Sequence, residues 1–214
     1  MTSVWEKYEK ILQRSPLFSD LSPVETESAL LSMQAKQSRY RKGEFLHTPF
    51  APFSQFALVL AGTVNVCVDD FGGNRMIMAT VTPGVTFGES LCYLCAAEPP
   101  VYAYASEDCE VLWLTPPQSA DGNLAQRFTA MLAGKALSMN TRIQILSKLT
   151  LREKIITFFS SFPASERKSG ITLSLSREDM AAYLGTNRSA LSRELSKMQR
   201  DGLLIYHKNV FRIL

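Results

Sequence analysis

Arg188, Ser189, Ser192 and Arg193 fall within Leu175–Leu195, a stretch that reads LSREDMAAYLGTNRSALSREL. On a helix this spacing gathers all four on a face turned away from Leu191, Leu195 and Met198. An arginine guanidinium can donate two hydrogen bonds to the major-groove edge of guanine, and a serine hydroxyl reaches either a base or a phosphate. The chemistry these residues offer is therefore reading of double-stranded DNA. Ser176, Arg177, Thr186, Asn187, Lys197 and Lys208 complete the candidate contacts.

Such residues need a scaffold, and the same stretch supplies one. Ser176 followed by Asp179 is a capping box with Asp in place of Glu, and it starts a short helix. That helix turns Met180 and Leu184 inward, with Ala181 small enough for a second helix to cross closely. Gly185 provides the tight turn, and Thr186 or Asn187 caps the second helix. Two helices joined by a short Gly-containing turn form a helix-turn-helix. Gly202–Ile213 then reads as a β-hairpin turning near Lys208-Asn209, a wing that places Lys208 against the DNA backbone.

Other reactive residues are sparse. Cys67, Cys92, Cys95 and Cys109 are too few for a disulfide scaffold, and Cys92-Tyr-Leu-Cys95 has no second CxxC beside it. The two histidines, His47 and His207, are far apart in the chain. A zinc or iron–sulfur site normally needs four ligands, so the thiols read first as buried and free. A redox pair Cys92/Cys95 is the second reading. With no Ser/His/Asp order, P-loop or metal cluster, the chain does not read as an enzyme, and no cofactor is expected.

The 214 residues are 46% hydrophobic and 20% charged, which argues against disorder. The net charge of +3 is unevenly spread: residues 1–115 hold 8 Lys+Arg against 13 Asp+Glu, residues 116–148 hold 4 against 1, and residues 149–214 hold 11 against 6. An acidic front and a basic tail point to a polyanion partner for the tail. No apolar run approaches the length of a membrane span, and Met1–Lys10 carries charges where a signal peptide needs an apolar core, so a cytoplasmic protein is expected. Val4–Met33 reads as helical, with Trp5, Tyr8, Ile11 and Leu12 at helical spacing and Ser22-Pro23 as a helix start. Gln55–Ala61, Thr63–Val68, Arg75–Val81, Val101–Ala105 and Val111–Leu114 read as short strands of an antiparallel sandwich or barrel. Pro116-Pro117 closes that region. A helix over Gly122–Leu149 follows, with Leu132, Ala136, Met139, Ile143 and Leu146 as a heptad seam. The seam reads as a two-helix dimer contact in preference to packing on its own domain.

Leu17-Phe18 with Leu21-Ser22, Tyr40-Arg-Lys-Gly-Glu, Val59-Leu-Ala-Gly-Thr-Val, Gly73-Asn74, Pro83-Gly84 and Phe87-Gly88-Glu89 occur in an order that resembles the cyclic-AMP receptor/fumarate–nitrate regulator (CRP/FNR) family. The resemblance covers essentially the whole chain. It implies an α+β architecture: a cyclic-nucleotide-binding-like β-roll (double-stranded β-helix) over 1–116, a dimerisation helix over 117–148 and a winged helix-turn-helix over 149–214. It also implies a homodimeric transcriptional regulator acting on an inverted repeat of duplex DNA, with RNA polymerase as partner if it activates. In nucleotide-binding members, Glu of Phe-Gly-Glu holds the ribose, and an Arg-Ser or Arg-Thr about ten residues on holds the cyclic phosphate. Here Glu89 is present, but Pro99 and Pro100 fall where Arg and Ser would stand. Neither offers a cation or a backbone N–H, so cyclic AMP is not expected. Phe87, Gly88, Glu89, Pro99, Pro100, Tyr102, Tyr104 and Met139, with Tyr93, are instead read as an effector pocket for an unknown apolar or aromatic small molecule. Ser189 stands where the resemblance places a Glu, and Arg193 matches the guanine-reading Arg. A competing reading is a redox- or metabolite-sensing module whose helix-turn-helix makes protein contacts.

Overall fold

Phe56–Ala61 reads FALVLA, without a polar position, because both of its faces are covered. Phe56, Leu58 and Leu60 pack against helices, whereas Ala57 and Val59 turn into the space between two sheets. This strand is the hinge of the architecture. The computed structural model describes residues 4–69, 71–72, 75–117, 122–173 and 175–214. The chain divides into two compact units, Met1–Ala133 and Gly134–Leu214, with the boundary inside its longest helix.

The first unit opens with helices α1 (Val4–Leu12) and α2 (Pro23–Ser32). Ser22 caps α2 through a capping box with Glu25, with Pro23 at the first turn. Between them Leu17 and Phe18 are buried, so the expected helical stretch is two helices with a packed connection. Tyr8 and Leu12 are core residues, whereas the Trp5 side chain and Gly73-Asn74 lie outside the described residues. Strands β1 (Lys36–Tyr40), β2 (Phe45–His47), β3 (Phe56–Ala61), β4 (Val64–Asp69), β5 (Arg75–Val81), β6 (Thr86–Phe87), β7 (Tyr102–Ala105) and β8 (Cys109–Leu114) form two antiparallel sheets, in the orders β1-β8-β3-β6 and β2-β7-β4-β5. The short helix α3 (Glu89–Tyr93) separates β6 from β7.

Between the sheets lie Leu46, Val64, Val81, Phe87, Ala103, Ala105 and Val111. A second core forms where α1, α2 and the first turns of α4 (Asn123–Leu146) cover the other face of β3 and β8. Strand β1 escapes hydrophobic patterning because it is an edge strand, KQSRY, with no fully buried position. It is tied down through Glu110, whose carboxylate accepts from Lys7, Tyr8 and Gln37 and pairs with Arg39.

The second unit continues from the end of α4 through α5 (Leu151–Ser160), α6 (Ala164–Ser169), β9 (Ile171–Thr172), α7 (Arg177–Tyr183), α8 (Arg188–Arg200), β10 (Leu204–His207) and β11 (Val210–Ile213). The three strands form one antiparallel sheet, β10-β11-β9. Its core joins Ile145, Ile155, Phe159, Met180, Leu191, Leu195, Met198 and Phe211. Arg152, at the start of α5, reaches Glu194 at 2.7 Å and Asp201 at 2.7 Å, pinning α5 to both the middle and the end of α8.

Candidate nucleic-acid interface

Helix α7 begins at Ser176, whose hydroxyl accepts from the Asp179 backbone N–H while the Asp179 carboxylate accepts from the Ser176 N–H and hydroxyl. Met180, Ala181 and Leu184 are fully buried, and Gly185 takes φ +66° to turn the chain. A side chain there would be strained and would meet Leu146 Cδ2 at 3.1 Å. Of the two candidate caps for α8, Asn187 is the one used, accepting from the Ala190 N–H at 2.9 Å. Leu191, Leu195 and Met198 are buried against the core, which fixes the rotation of α8 about its axis.

That rotation decides what α8 offers to a partner. Arg188, Ser189, Arg193 and Lys197 are exposed, and Ser192 is half-buried between them. Arg193, Lys197 and Arg200, with Ser192 and Ser196, border an open groove of about 630 Å³ along the helix. Arg200 was not among the sequence candidates, although its place seven residues after Arg193 on the same helix is a signal for it. The Arg188 guanidinium stays mostly in solvent, with Glu178 4.0 Å away. Thr186 is half-buried in the turn, and Ser176 is exposed but engaged in its cap.

Strands β10 and β11 pair antiparallel around a Lys208-Asn209 turn, with Lys208 at φ +51° and its side chain exposed. Arg177 departs from expectation. Its guanidinium lies over the rings of Phe211 and Tyr206 and donates to the Lys208 carbonyl at 2.5 Å. Burial lowers its pKa from the usual arginine value. It brackets α7 to the wing through the ring stacking and the Lys208 carbonyl bond.

Within the first unit, the aromatic residues read as an effector pocket do not share one face of a sheet. Side chains alternate along a strand, so Ala103 and Ala105 enter the inter-sheet core with Phe87, while Tyr102 and Tyr104 take the opposite face of their sheet. There the Tyr102 hydroxyl donates to Asp69 at 2.6 Å and accepts from Arg75, and Tyr104 accepts from Asn65. Phe87 is buried edge-on against Trp113. Tyr93 is half-exposed against Phe128 at 5.7 Å, and Met139 belongs to the other unit and is exposed. A single cavity lined by these aromatics is thus not formed, because a β-sheet separates Phe87 from the two tyrosines. Gly88, at φ +82°, caps α3 and is held by Phe53, whose ring a Cβ would overlap at 2.6 Å. Glu89 begins α3 as a buried carboxylate. Pro99 is buried with its carbonyl accepting from the Phe50 N–H at 2.9 Å, and Pro100 is exposed.

On α4, Phe128 and Met131 are buried in the core of the first unit, and Leu132, assigned to the seam, packs against that core too. Leu132 is therefore held by its own unit, because the first turns of α4 close over β3 and β8. Ala136, Met139, Ile143 and Leu146 are exposed. Cys67, Cys92 and Cys109 are buried free thiols and Cys95 is exposed. The described residues contain no cluster of three or more His, Cys, Asp or Glu fit to hold a metal.

Residues 37–119 match the family model of the cyclic nucleotide-binding domain, and residues 139–214 match that of the Crp-like helix-turn-helix domain. The chain belongs to the CRP/FNR family. The family is one of transcription regulators that bind DNA through the helix-turn-helix. This CRP/FNR chain is 25% identical over 198 residues to the Cyclic AMP receptor protein of Thermus thermophilus, covering 90% of this chain and 89% of that protein. It is also 25% identical over 201 residues to the Transcriptional activator protein anr of Pseudomonas aeruginosa, covering 89% and 82%. Among solved structures, FixK2 from Bradyrhizobium japonicum is 26% identical, covers 84% of this chain and 92% of its own, and superposes with a TM-score of 0.51.

Proposed function

We propose that this protein is a homodimeric, effector-responsive transcription factor that reads an inverted repeat in duplex DNA without using a cyclic nucleotide. The observation that carries this reading is the rotation of α8: Leu191, Leu195 and Met198 are buried while Arg188, Ser189, Arg193 and Lys197 face solvent. The first turn of a recognition helix supplies base contacts, and later cations along it meet phosphates. The exposed apolar side chains Met139, Ile143 and Leu146 on α4 support a two-helix dimer contact. Two symmetric readers then meet half-sites about 34 Å apart.

The first unit supports a response to something other than a cyclic nucleotide. A cyclic phosphate set against Pro99 and Pro100 meets neither a cation nor an N–H, and a charge desolvated without a partner costs several kcal/mol. Between the sheets, Phe87 and Trp113 are in edge-on contact. Regulation means that an effector has different affinity for DNA-competent and incompetent dimers, with the reciprocal effect on DNA. Where the outcome is activation, RNA polymerase is the further partner. The described residues include no helix long and apolar enough to cross a membrane, in keeping with action on cytoplasmic DNA.

Selection of bound sites from random duplexes tests the reading. Enriched sites should be inverted repeats with a guanine in each half-site facing Arg193 and a less constrained position facing Ser189. Failure to enrich any motif, or enrichment of direct or single half-sites, overturns it.

A further inference from the structure

The core of the second unit is not filled throughout. On the buried side of α8 a cavity of about 150 Å³ opens between α5, α6, α8 and the β10–β11 hairpin. Phe159, Met198, Leu204, Ile213 and Leu214 line it with apolar side chains, with Ser160 and Arg167 as the polar side chains. At the mouth, Ile156 and Leu203 are exposed apolar side chains.

Arg167 is the telling residue. Its Nε is buried and finds no hydrogen-bond partner among the described residues. Arg167 as a whole is part-exposed, but its buried Nε–H is a donor that a guest in the cavity can satisfy. The Ser160 hydroxyl donates to the Ile156 carbonyl at 2.8 Å, which leaves its oxygen free to accept, not to donate. The polar edge of the cavity therefore presents a cation, and the remaining walls present hydrocarbon. The Nε–H edge of a guanidinium is one half of the fork that binds a carboxylate side-on. The volume sets the size of the body, since a cavity of about 150 Å³ with aliphatic and aromatic walls accommodates a benzene-sized guest.

We propose that this cavity binds a small apolar monocarboxylate, with one ring or a short branched alkyl group between Phe159 and Met198 and the carboxylate on Arg167. Met198 belongs to α8, so the guest touches the DNA-reading helix from behind. Its consequence for DNA affinity rests on the function proposed above; the binding itself does not.

Benzoate is the probe, titrated into the full chain without DNA by calorimetry and by thermal unfolding, with benzyl alcohol as the uncharged ring of like size. Benzoate should bind saturably to one site, raise the melting temperature and shift the methyl resonances of Met198 and Ile213. Arg167→Gln should weaken it by roughly tenfold or more, the scale of a charge-assisted hydrogen bond, and benzyl alcohol should bind the unaltered protein more weakly than benzoate. If Arg167→Gln does not fold, Arg167→Lys serves in its place, because an ammonium keeps the charge but lacks the fork, and benzoate should again weaken. No saturable benzoate binding at millimolar concentration, equal binding by a folded Arg167 variant, or resonance shifts confined to the first unit would each overturn the proposal. A gel shift without benzoate reads the DNA function separately: its failure beside intact benzoate binding removes the regulator reading and leaves the site.

Discussion

The guanidinium of Arg177 lies 4.6 Å from the centre of the Phe211 ring, joining the first helix of the helix-turn-helix to the wing strand. The same group is 5.2 Å from the Tyr206 ring and holds the Lys208 carbonyl at the wing turn. Arg177→Ala should cost about 1–3 kcal/mol of stability, from the lost ring contacts and the carbonyl bond, read as a lower melting temperature. DNA affinity should fall alike on specific and random duplexes, because the wing loses its support while the base-reading face is untouched. An unchanged melting temperature would return Arg177 to the list of free DNA contacts.

Arg193 and Lys197 lie one turn apart on α8 and should behave differently. Arg193→Ala should lose about 1–3 kcal/mol on the selected operator and much less on random DNA. Lys197→Ala should weaken both and lower the slope of log affinity against log salt by about 1. Fluorescence anisotropy titrations across a salt series separate the two roles. Equal losses for Arg193→Ala on both duplexes would make it a phosphate contact.

Ile143 is 62% exposed and Met139 65% exposed within the second unit. Ile143→Glu should therefore leave the fold and melting behaviour of a monomer intact while charging the seam. Light scattering should report a shift from dimer to monomer, and affinity for a full inverted repeat should fall toward that for a half-site. A dimer that survives both Ile143→Glu and Met139→Glu is held by another surface.

Glu110 gathers Tyr8, Lys7, Gln37 and Arg39 around one carboxylate. The Tyr8 hydroxyl first, and Lys7 after it, hold its pKa below the ordinary carboxylate value against the opposing effect of burial. A carboxyl with a depressed folded pKa adds stability above its unfolded pKa, about 4.3 for Glu, and loses it as pH falls through the lower folded value. Glu110→Gln should thus be less stable than the unaltered protein at neutral pH and should narrow that gap on acidification below about pH 4. Denaturant unfolding at several pH values checks this. A gap constant with pH would assign the effect to packing of α1 instead of charge.

Burial raises the Cys92 thiol to about 11, while Cys95 is exposed at a left-handed position beyond the end of α3. Thiolates are the reactive form, so iodoacetamide should modify Cys95 well before Cys92, with peptide mapping as the readout. Rapid oxidation to a Cys92–Cys95 disulfide under mild peroxide would revive the redox reading.

Where local chemistry decides structure, the sequence was readable. Ser176 with Asp179, Gly185, and the Leu191/Leu195/Met198 stripe placed the helix-turn-helix, and the Lys208-Asn209 turn placed the wing. Strands β3, β4 and β5 followed from apolar runs between glycines. Strand β1 did not, because an edge strand pinned by one carboxylate needs no apolar pattern. The stacking of Arg177 on Phe211 is not legible either, because a surface arginine and a stacked one look alike until the wing has folded back.

By itself the sequence determined the helix-turn-helix and its wing, the family and the face of α8 that carries its cations, since these depend on residues close in the chain. Only the tertiary structure decided that Phe87 and Tyr102 lie on opposite faces of a sheet, that Leu132 belongs to its own unit's core, and that Arg167 borders a cavity. Each of those depends on which distant residues meet, and pairing across a sheet or around a core is settled by packing, not by spacing along the chain.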